Sequence, residues 1–250
     1  MRQSATEKYL GKVFPSKVGD FLVRKYDSVI NKWEIEFLDT GYVSNICVGQ
    51  ILLGSVKDYR KPTVHGVGIV GDIGFCPQRD KDLYNIWKSL IARCYSKTYH
   101  NLQCYHNVCV SDNFKHFQKF CNWATHQRGF NKKGWHLDKD LLSKESKIYS
   151  EETCCFIPQD INLLIRYPYR KGRDLPRGGV KTKTNNFTAR LSTSGGVKRH
   201  IGTYSTVEEA FTKYKGAKEA YVRSIADKWK DQIDPRAYDA LMVWEINIDD

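Results

Sequence analysis

The sequence predicts a multidomain α+β chain. It combines a small β-barrel at the N-terminus, a central strand–strand–helix domain with extra helices, and a C-terminal three-stranded sheet packed on one helix. Three observations lead there. Apolar residues alternate with a period of two in the first 60 residues, recur at helical spacing between Leu83 and Cys94, and return as strand-like runs followed by one amphipathic helix after Gly179. The 250 residues allow one to three domains. A hydrophobic share of 41% with 13% aromatics suffices for packed cores and excludes a wholly disordered chain.

Forty Lys and Arg against 28 Asp and Glu leave a formal charge of +12. Such an excess points to a polyanionic partner, most often nucleic acid. No apolar run approaches the ~20 residues of a membrane span, and Met1–Gly11 is too polar for a secretion signal. We therefore expect a cytoplasmic protein with no membrane partner, its eight Cys reduced.

Residues 1–70 read as all-β. Asp20–Tyr26 is an apolar-rich run, and Val29-Ile30-Asn31-Lys32 is a turn. Trp33, Ile35 and Phe37 then alternate with Glu34, Glu36 and Leu38. Asp39-Thr40-Gly41 is a second turn, and Tyr42–Leu53 continues as one or two strands, enough for a small bent barrel. Its charge is nearly balanced, with 10 basic and 8 acidic residues through Gln78. Thr63–Gln78, with four Gly, reads as a linker or ordered loop, and His65-Gly66-Val67-Gly68 lacks the Gly-Lys-Ser/Thr ending of a phosphate loop.

Residues 79–166 form a second domain. Leu83, Ile86, Trp87, Leu90, Ile91 and Cys94 make one helix face, and Phe114, Phe117, Cys121 and Ala124 mark a second helix with Asp112 as a candidate cap. Trp87, Phe114, Phe117 and Trp123 are assigned to the core. Gly134–Leu142 and Ile148–Pro158 follow as extended segments, then a short helix over Gln159–Ile165. In a third domain, residues 174–232, Gly179–Lys183, Phe187–Ser192 and Lys198–Tyr204 read as strands. Thr206 and Glu209 form a capping box for a helix burying Val207, Ala210, Phe211, Tyr214, Ala217 and Tyr221. Residues 233–250 read as an acidic tail.

Between Lys171 and Arg199 stand eight basic residues and one acid, Asp174. One sheet face must place Val180, Phe187 or Leu191, and Ile201 on the helix, leaving Lys181, Lys183, Arg190, Ser192 and Lys198 or His200 outward. A positive sheet face backed by a helix fits a DNA major groove. Gly179-Val180-Lys181, Phe187-Thr188-Ala189-Arg190-Leu191, Ile201-Gly202-Thr203-Tyr204 and Thr206-Val207-Glu208-Glu209-Ala210 resemble, in order, the blocks of the plant ethylene-response-factor (APETALA-type) DNA-binding domain. Relatives of that domain accompany phage and bacterial homing endonucleases. The resemblance implies double-stranded DNA as partner and, position by position, contacts from Lys181, Lys183, Phe187, Arg190, Ser192, Lys198 and His200. Phe187 replaces the family's strand Trp and Arg190 an acidic residue, so no base preference carries over.

Asp138-Lys139-Asp140 lies between apolar neighbours, followed by Tyr149–Pro158 and Asn162. Acid and amide oxygens on a strand, a strand and a helix suit one hard divalent cation, and phosphodiester cleavage needs a base beside the attacking water. This stretch resembles the HNH (ββα-metal) nucleases of phages. The resemblance implies that Asp138 and Asn162 hold Mg²⁺ or another divalent cation, with Asp140 as a second ligand. Lys139 stands at the usual general-base His and Thr153 at the middle Asn. His136, on the same strand face as Asp138, is the substitute base, and Lys139 becomes a phosphate contact, because two neighbouring Asp raise its pKa rather than lower it.

Cys104-x-His106-x-x-Cys109, with His100 and Cys121, matches no common zinc spacing, and zinc is not expected. Cys154 and Cys155 are adjacent, one expected buried and one outward. The whole reads as a DNA-binding protein of homing-endonuclease type, located in the bacterial host cytoplasm if phage-encoded. The rival from another class is a non-catalytic DNA-binding accessory or regulatory protein on a degenerate HNH scaffold.

Overall fold

The protein was analysed as a computed structural model that describes residues 5–100, 107–144, 146–166, 175–193 and 196–249. It is a mixed α+β chain in two compact units, Met1–Trp123 and Ala124–Asp250.

In the first unit, α1 (Ala5–Tyr9) leads to β1 (Val13–Phe14), β2 (Phe21–Asp27), β3 (Lys32–Phe37) and β4 (Val43–Ile46). These four strands form an antiparallel sheet in chain order. The period-two pattern of β3 is realised: Trp33, Ile35 and Phe37 are buried and the intervening Glu34 and Glu36 are not. The turn before β3 is made by Asp27, whose carboxylate accepts the N–H groups of Val29 (2.9 Å) and Ile30 (3.3 Å), and by Asn31 at φ 53°.

The expected barrel does not close. The sheet order is open, with β1 and β4 at opposite edges. The chain after β4 turns into α2 (Val48–Leu53) instead of a further strand. Gly54, left-handed at φ 57°, ends that helix. The sheet's buried face is covered by Ile51, Val56 and Tyr9, which pack with Phe21, Val23, Ile35 and Phe37. A covered face does the work that barrel closure would have done.

The Gly-rich stretch after residue 62 is an ordered loop. It holds the hairpin of β5 (Pro62–Val64) and β6 (Gly68–Ile69). Gln118 then pins it, donating to the carbonyls of Val70 (2.9 Å) and Phe75 (2.7 Å) and accepting the Phe75 N–H (2.8 Å). Next come α3 (Lys81–Tyr95), α4 (Lys97–His100), β7 (Cys109–Val110), α5 (Asp112–Lys115) and α6 (Phe117–Ala124). α3 buries Leu83, Trp87, Leu90, Ile91 and Cys94, the face its spacing predicts. The second expected helix is two helices, broken at an extended His116. Its cap is Ser111, which accepts the Phe114 N–H (3.2 Å), while Asp112 lies inside the helix and pairs with Lys115 (2.8 Å).

The second unit contains β8 (Trp135–Asp138), β9 (Ile148–Tyr149), β10 (Cys155–Pro158) and α7 (Gln159–Ile165). Then come β11 (Gly179–Lys181), β12 (Phe187–Ser192), β13 (Lys198–Tyr204), α8 (Val207–Trp229) and α9 (Pro235–Met242). β11–β12–β13 is an antiparallel sheet. The 23 residues of α8 run as one helix and serve two cores. Its first half, with Ala210, Phe211 and Tyr214, packs on Ala189 and Leu191 of the sheet. Its second half, with Val222 and Ala226, packs on Cys155, Ile157, Ile161 and Ile165 of the β10–α7 corner. Residues beyond 232 belong to the same cores: Ile233, Ala237 and Leu241 enter one and Ile246 the other.

Candidate nucleic-acid interface and metal centre

Register fixes what the three-stranded sheet presents. Arg190 faces His200 and Ser192 faces Lys198 across the β12–β13 pair. Ala189 pairs with Gly202 and Arg190 with His200, so Ile201 is the extra residue of a β-bulge. The bulge shifts the parity of β13. Lys198 and His200 point outward with Arg190 and Ser192, all four exposed, whereas Tyr204 joins Phe187 on the helix side. The outward row therefore reads Ser192, Lys198, Arg190, His200, with Thr188 and Thr203 beyond it, their hydroxyls 3.3 Å apart.

Two expected sheet positions differ. Phe187, a contact position by resemblance, packs against the α8 core together with Ile201 and Tyr204. Val180, expected on the helix, pairs with Thr188 on the outward side and is 44% exposed. β11 is thus one residue out of phase with the expectation, and Lys181 shares Phe187's side while remaining exposed at the sheet end. Lys183 lies exposed in the β11–β12 turn, which Thr182 closes by accepting the Asn186 N–H (3.1 Å). Arg199, which sequence reasoning did not single out, is exposed beside Lys198, and its place within a basic run was the available signal.

Among the described residues, no carboxylate pairs with Lys181, Lys183, Arg190, Lys198, Arg199 or His200. Two acids near the C-terminus are engaged elsewhere: Glu245 pairs with Lys215 of α8 (3.3 Å) and Asp234 with Arg236 (2.8 Å). Cationic side chains in one row on a helix-backed sheet can meet successive phosphates of a duplex while the ribbon enters its major groove.

The second candidate centre is the β8–β10–α7 corner. β8 and β10 pair antiparallel, Asp138 opposite Cys155 and His136 opposite Ile157, and α7 starts directly after β10. His136 is exposed, and by alternation it shares a strand face with Asp138. The Asp138 carboxylate accepts the Leu141 N–H (2.8 Å). Burial pushes that carboxyl up from its ordinary value, the Leu141 N–H opposes the shift, and the neighbouring Asp140 charge adds to it. Asp160 opens α7, and Asn162 lies half-buried one residue after the buried Ile161.

The remaining candidates turn elsewhere. Lys139 is 8% exposed, and its ammonium binds the Asp140 carboxylate and the Ser146 carbonyl (3.0 Å), 5.7 Å from the Tyr149 ring centroid. It faces inward rather than toward a phosphate. Asp140 is thereby exposed and ion-paired. The Thr153 hydroxyl donates to the Ile148 carbonyl (2.7 Å) and accepts the Ser150 N–H (3.0 Å), which makes it the fastener of the β9–β10 turn. Asp138 and Asn162 offer the hard oxygens a divalent cation takes, while the Asp140 carboxylate is engaged by Lys139. Among the described residues, no three His, Cys, Asp or Glu side chains gather as a metal site.

Both Cys154 and Cys155 are buried, contrary to the expectation of one outward thiol. Burial pushes Cys154 up to about 12 and Cys155 higher still. In the set weighed for zinc, Cys109 is exposed and Cys121 is buried, its thiol pushed up to about 12. Cys104, His106 and the His100 side chain lie outside the described residues. No helix is long and apolar enough to cross a membrane among the described residues. No family model, curated protein or solved structure matches this chain.

Proposed function

We propose that the protein binds double-stranded DNA through the outward face of β11–β13. The single observation that carries this reading is the exposed row of Arg190, Ser192, Lys198 and His200, with no carboxylate paired to its cations among the described residues. A cationic row with no internal counter-charge leaves its electrostatic attraction to an external polyanion. The β8–β10–α7 corner then acts as a scaffold that shares α8 with the reading sheet, in keeping with a non-catalytic DNA-binding accessory or regulatory protein. Fluorescence anisotropy with a duplex tests it. Arg190→Ala and Lys198→Ala are expected to weaken binding, each lowering the slope of log affinity against log salt by about 0.9 per lost phosphate contact. Unchanged affinity and slope in the double variant would reject the sheet as the interface.

A second reading is metal-dependent hydrolysis of DNA phosphodiester bonds with Mg²⁺ or another divalent cation, the homing-endonuclease activity that the HNH resemblance implies. Its support is the strand–strand–helix order with His136 and Asp138 on one strand face. Incubation of supercoiled plasmid with Mg²⁺ or Mn²⁺ decides it. If the reading holds, wild type nicks the plasmid and Asp138→Ala loses nearly all of that activity. Absence of nicking by wild type leaves the scaffold role.

A further inference from the structure

A cleft of about 320 Å³ opens in the second unit, walled by α7 on one side and α8 on the other. Lys218 sits on its α8 wall, four residues after Tyr214 and four before Val222, where helical spacing calls for an apolar side chain. It is 8% exposed. Its ammonium donates to the Leu164 carbonyl at 2.7 Å, and no carboxylate pairs with it among the described residues. An ammonium has three donors, and a buried cation without a counter-charge costs several kcal/mol unless something compensates it. The end of α7 supplies one acceptor, and the Trp244 ring lies 6.0 Å from the ammonium as a cation–π partner.

Charged side chains of both signs line the rest of the wall. Arg166 and Arg177 line the same cleft. Asp160 brings one negative charge to the same lining, its carboxylate accepting the Trp229 indole N–H (3.2 Å) and the Ile161 N–H (2.9 Å). Burial first, and then the Arg177 charge, hold Lys218 down to about 8. Tyr214 and Tyr221 form an aromatic wall, with Leu163 and Leu164 facing the same space.

We infer that this cleft binds a phosphate-bearing ligand of mononucleotide size, its phosphate held by Lys218, Arg177 and Arg166 and its apolar body against Tyr214 and Tyr221. The volume lies at the lower end of the roughly 300–1,000 Å³ of small-molecule sites, which suits one nucleotide. A bound phosphate supplies Lys218 with a counter-charge, and because Ser192, at the end of the row proposed to meet the duplex, also lines this cleft, the Arg190→Ala arm below separates the two sites.

The test is calorimetric titration of the full chain with deoxyadenosine monophosphate, deoxyadenosine and inorganic phosphate, run on wild type, Arg166→Gln, Lys218→Met and Arg190→Ala. The nucleotide is expected to bind at least about tenfold tighter than the nucleoside or phosphate, and Arg166→Gln and Lys218→Met each to lose about tenfold, the worth of one charge-assisted hydrogen bond. Arg190→Ala should bind the nucleotide as wild type does. Arg166 is exposed, so its variant reports on the ligand without endangering the fold. No binding of any probe overturns the cleft as a site, as does unchanged nucleotide affinity in both cleft variants. Equal affinity for nucleotide and nucleoside overturns the phosphate contact, and equal affinity for nucleotide and inorganic phosphate overturns the mononucleotide assignment. Loss of nucleotide binding in Arg190→Ala moves the ligand to the sheet face and overturns it as well.

Discussion

Lys218 shows at residue scale how burial of a charge becomes a dependence on pH. Its ordinary value is 10.5 and the fold holds it at about 8. Below about pH 8 both folded and unfolded chains carry the proton, and the fold bears the full cost of the desolvated ammonium. Between these values the folded chain releases the proton while the unfolded chain keeps it, so this cost falls as pH rises, by about 1.4 kcal/mol per unit. Above about 10.5 it is gone. Lys218→Met is therefore expected to be more stable than wild type near pH 7, by at most on the order of 3 kcal/mol, because the Leu164 carbonyl loses its partner in the variant. Urea unfolding at about pH 7, 8.5 and 10 checks it: the advantage should shrink as pH rises, and an advantage that grows with pH contradicts the assignment. Sequence alone could not find Lys218, since its position on a buried stripe is visible only once α7 is known to pack there.

The candidate site residues divide the same way. The row of Arg190, Ser192, Lys198 and His200 was legible because neighbouring charge and strand alternation are local properties. Phe187 was not, because whether an aromatic turns into a groove or onto a helix is decided by what the other face offers. Lys139 and Thr153 were misread for a related reason. Their chain neighbours suggest chemistry, but their side chains close the loop at Ser146 and the turn at Ile148.

At the scale of elements, α8 rests on its cap. Thr206 accepts the Glu209 N–H (3.2 Å), half of the capping box expected from the spacing. The other half is replaced, because the Glu209 carboxylate takes the Ser205 hydroxyl (2.9 Å). Thr206→Ala is expected to cost about 1 kcal/mol in urea unfolding, and Glu209→Ala clearly less. A reversed order would mean that the acid, and not the hydroxyl, holds the helix start. The bulge at Ile201 belongs to this scale too. A strict period of two would carry Tyr204 onto the face of Lys198 and His200, and the added residue returns it to the core. Likewise α5 and α6 share one apolar spacing, yet the chain is extended at His116, a break that periodicity cannot register.

At the scale of the whole molecule, α8 joins the β11–β13 sheet to the β8–β10–α7 corner through two cores contained within residues 124–250. That unit expressed alone is expected to unfold in one cooperative transition and to keep most of the duplex affinity, measured by thermal denaturation and anisotropy. A fragment that folds but no longer binds would place the DNA contacts in the first unit.

The sequence by itself determined the α+β class, the strands of the C-terminal sheet, the extent of α7 and the excess of positive charge, because alternation, helical spacing and composition act between near neighbours. The tertiary structure decided that the first sheet stays open under α2 and that residues beyond 232 enter the cores. It also decided that α8 is common to both halves of the second unit and that Lys218 faces a cleft. These depend on pairing and burial between segments far apart in the chain, and no local pattern records which surface a segment will find.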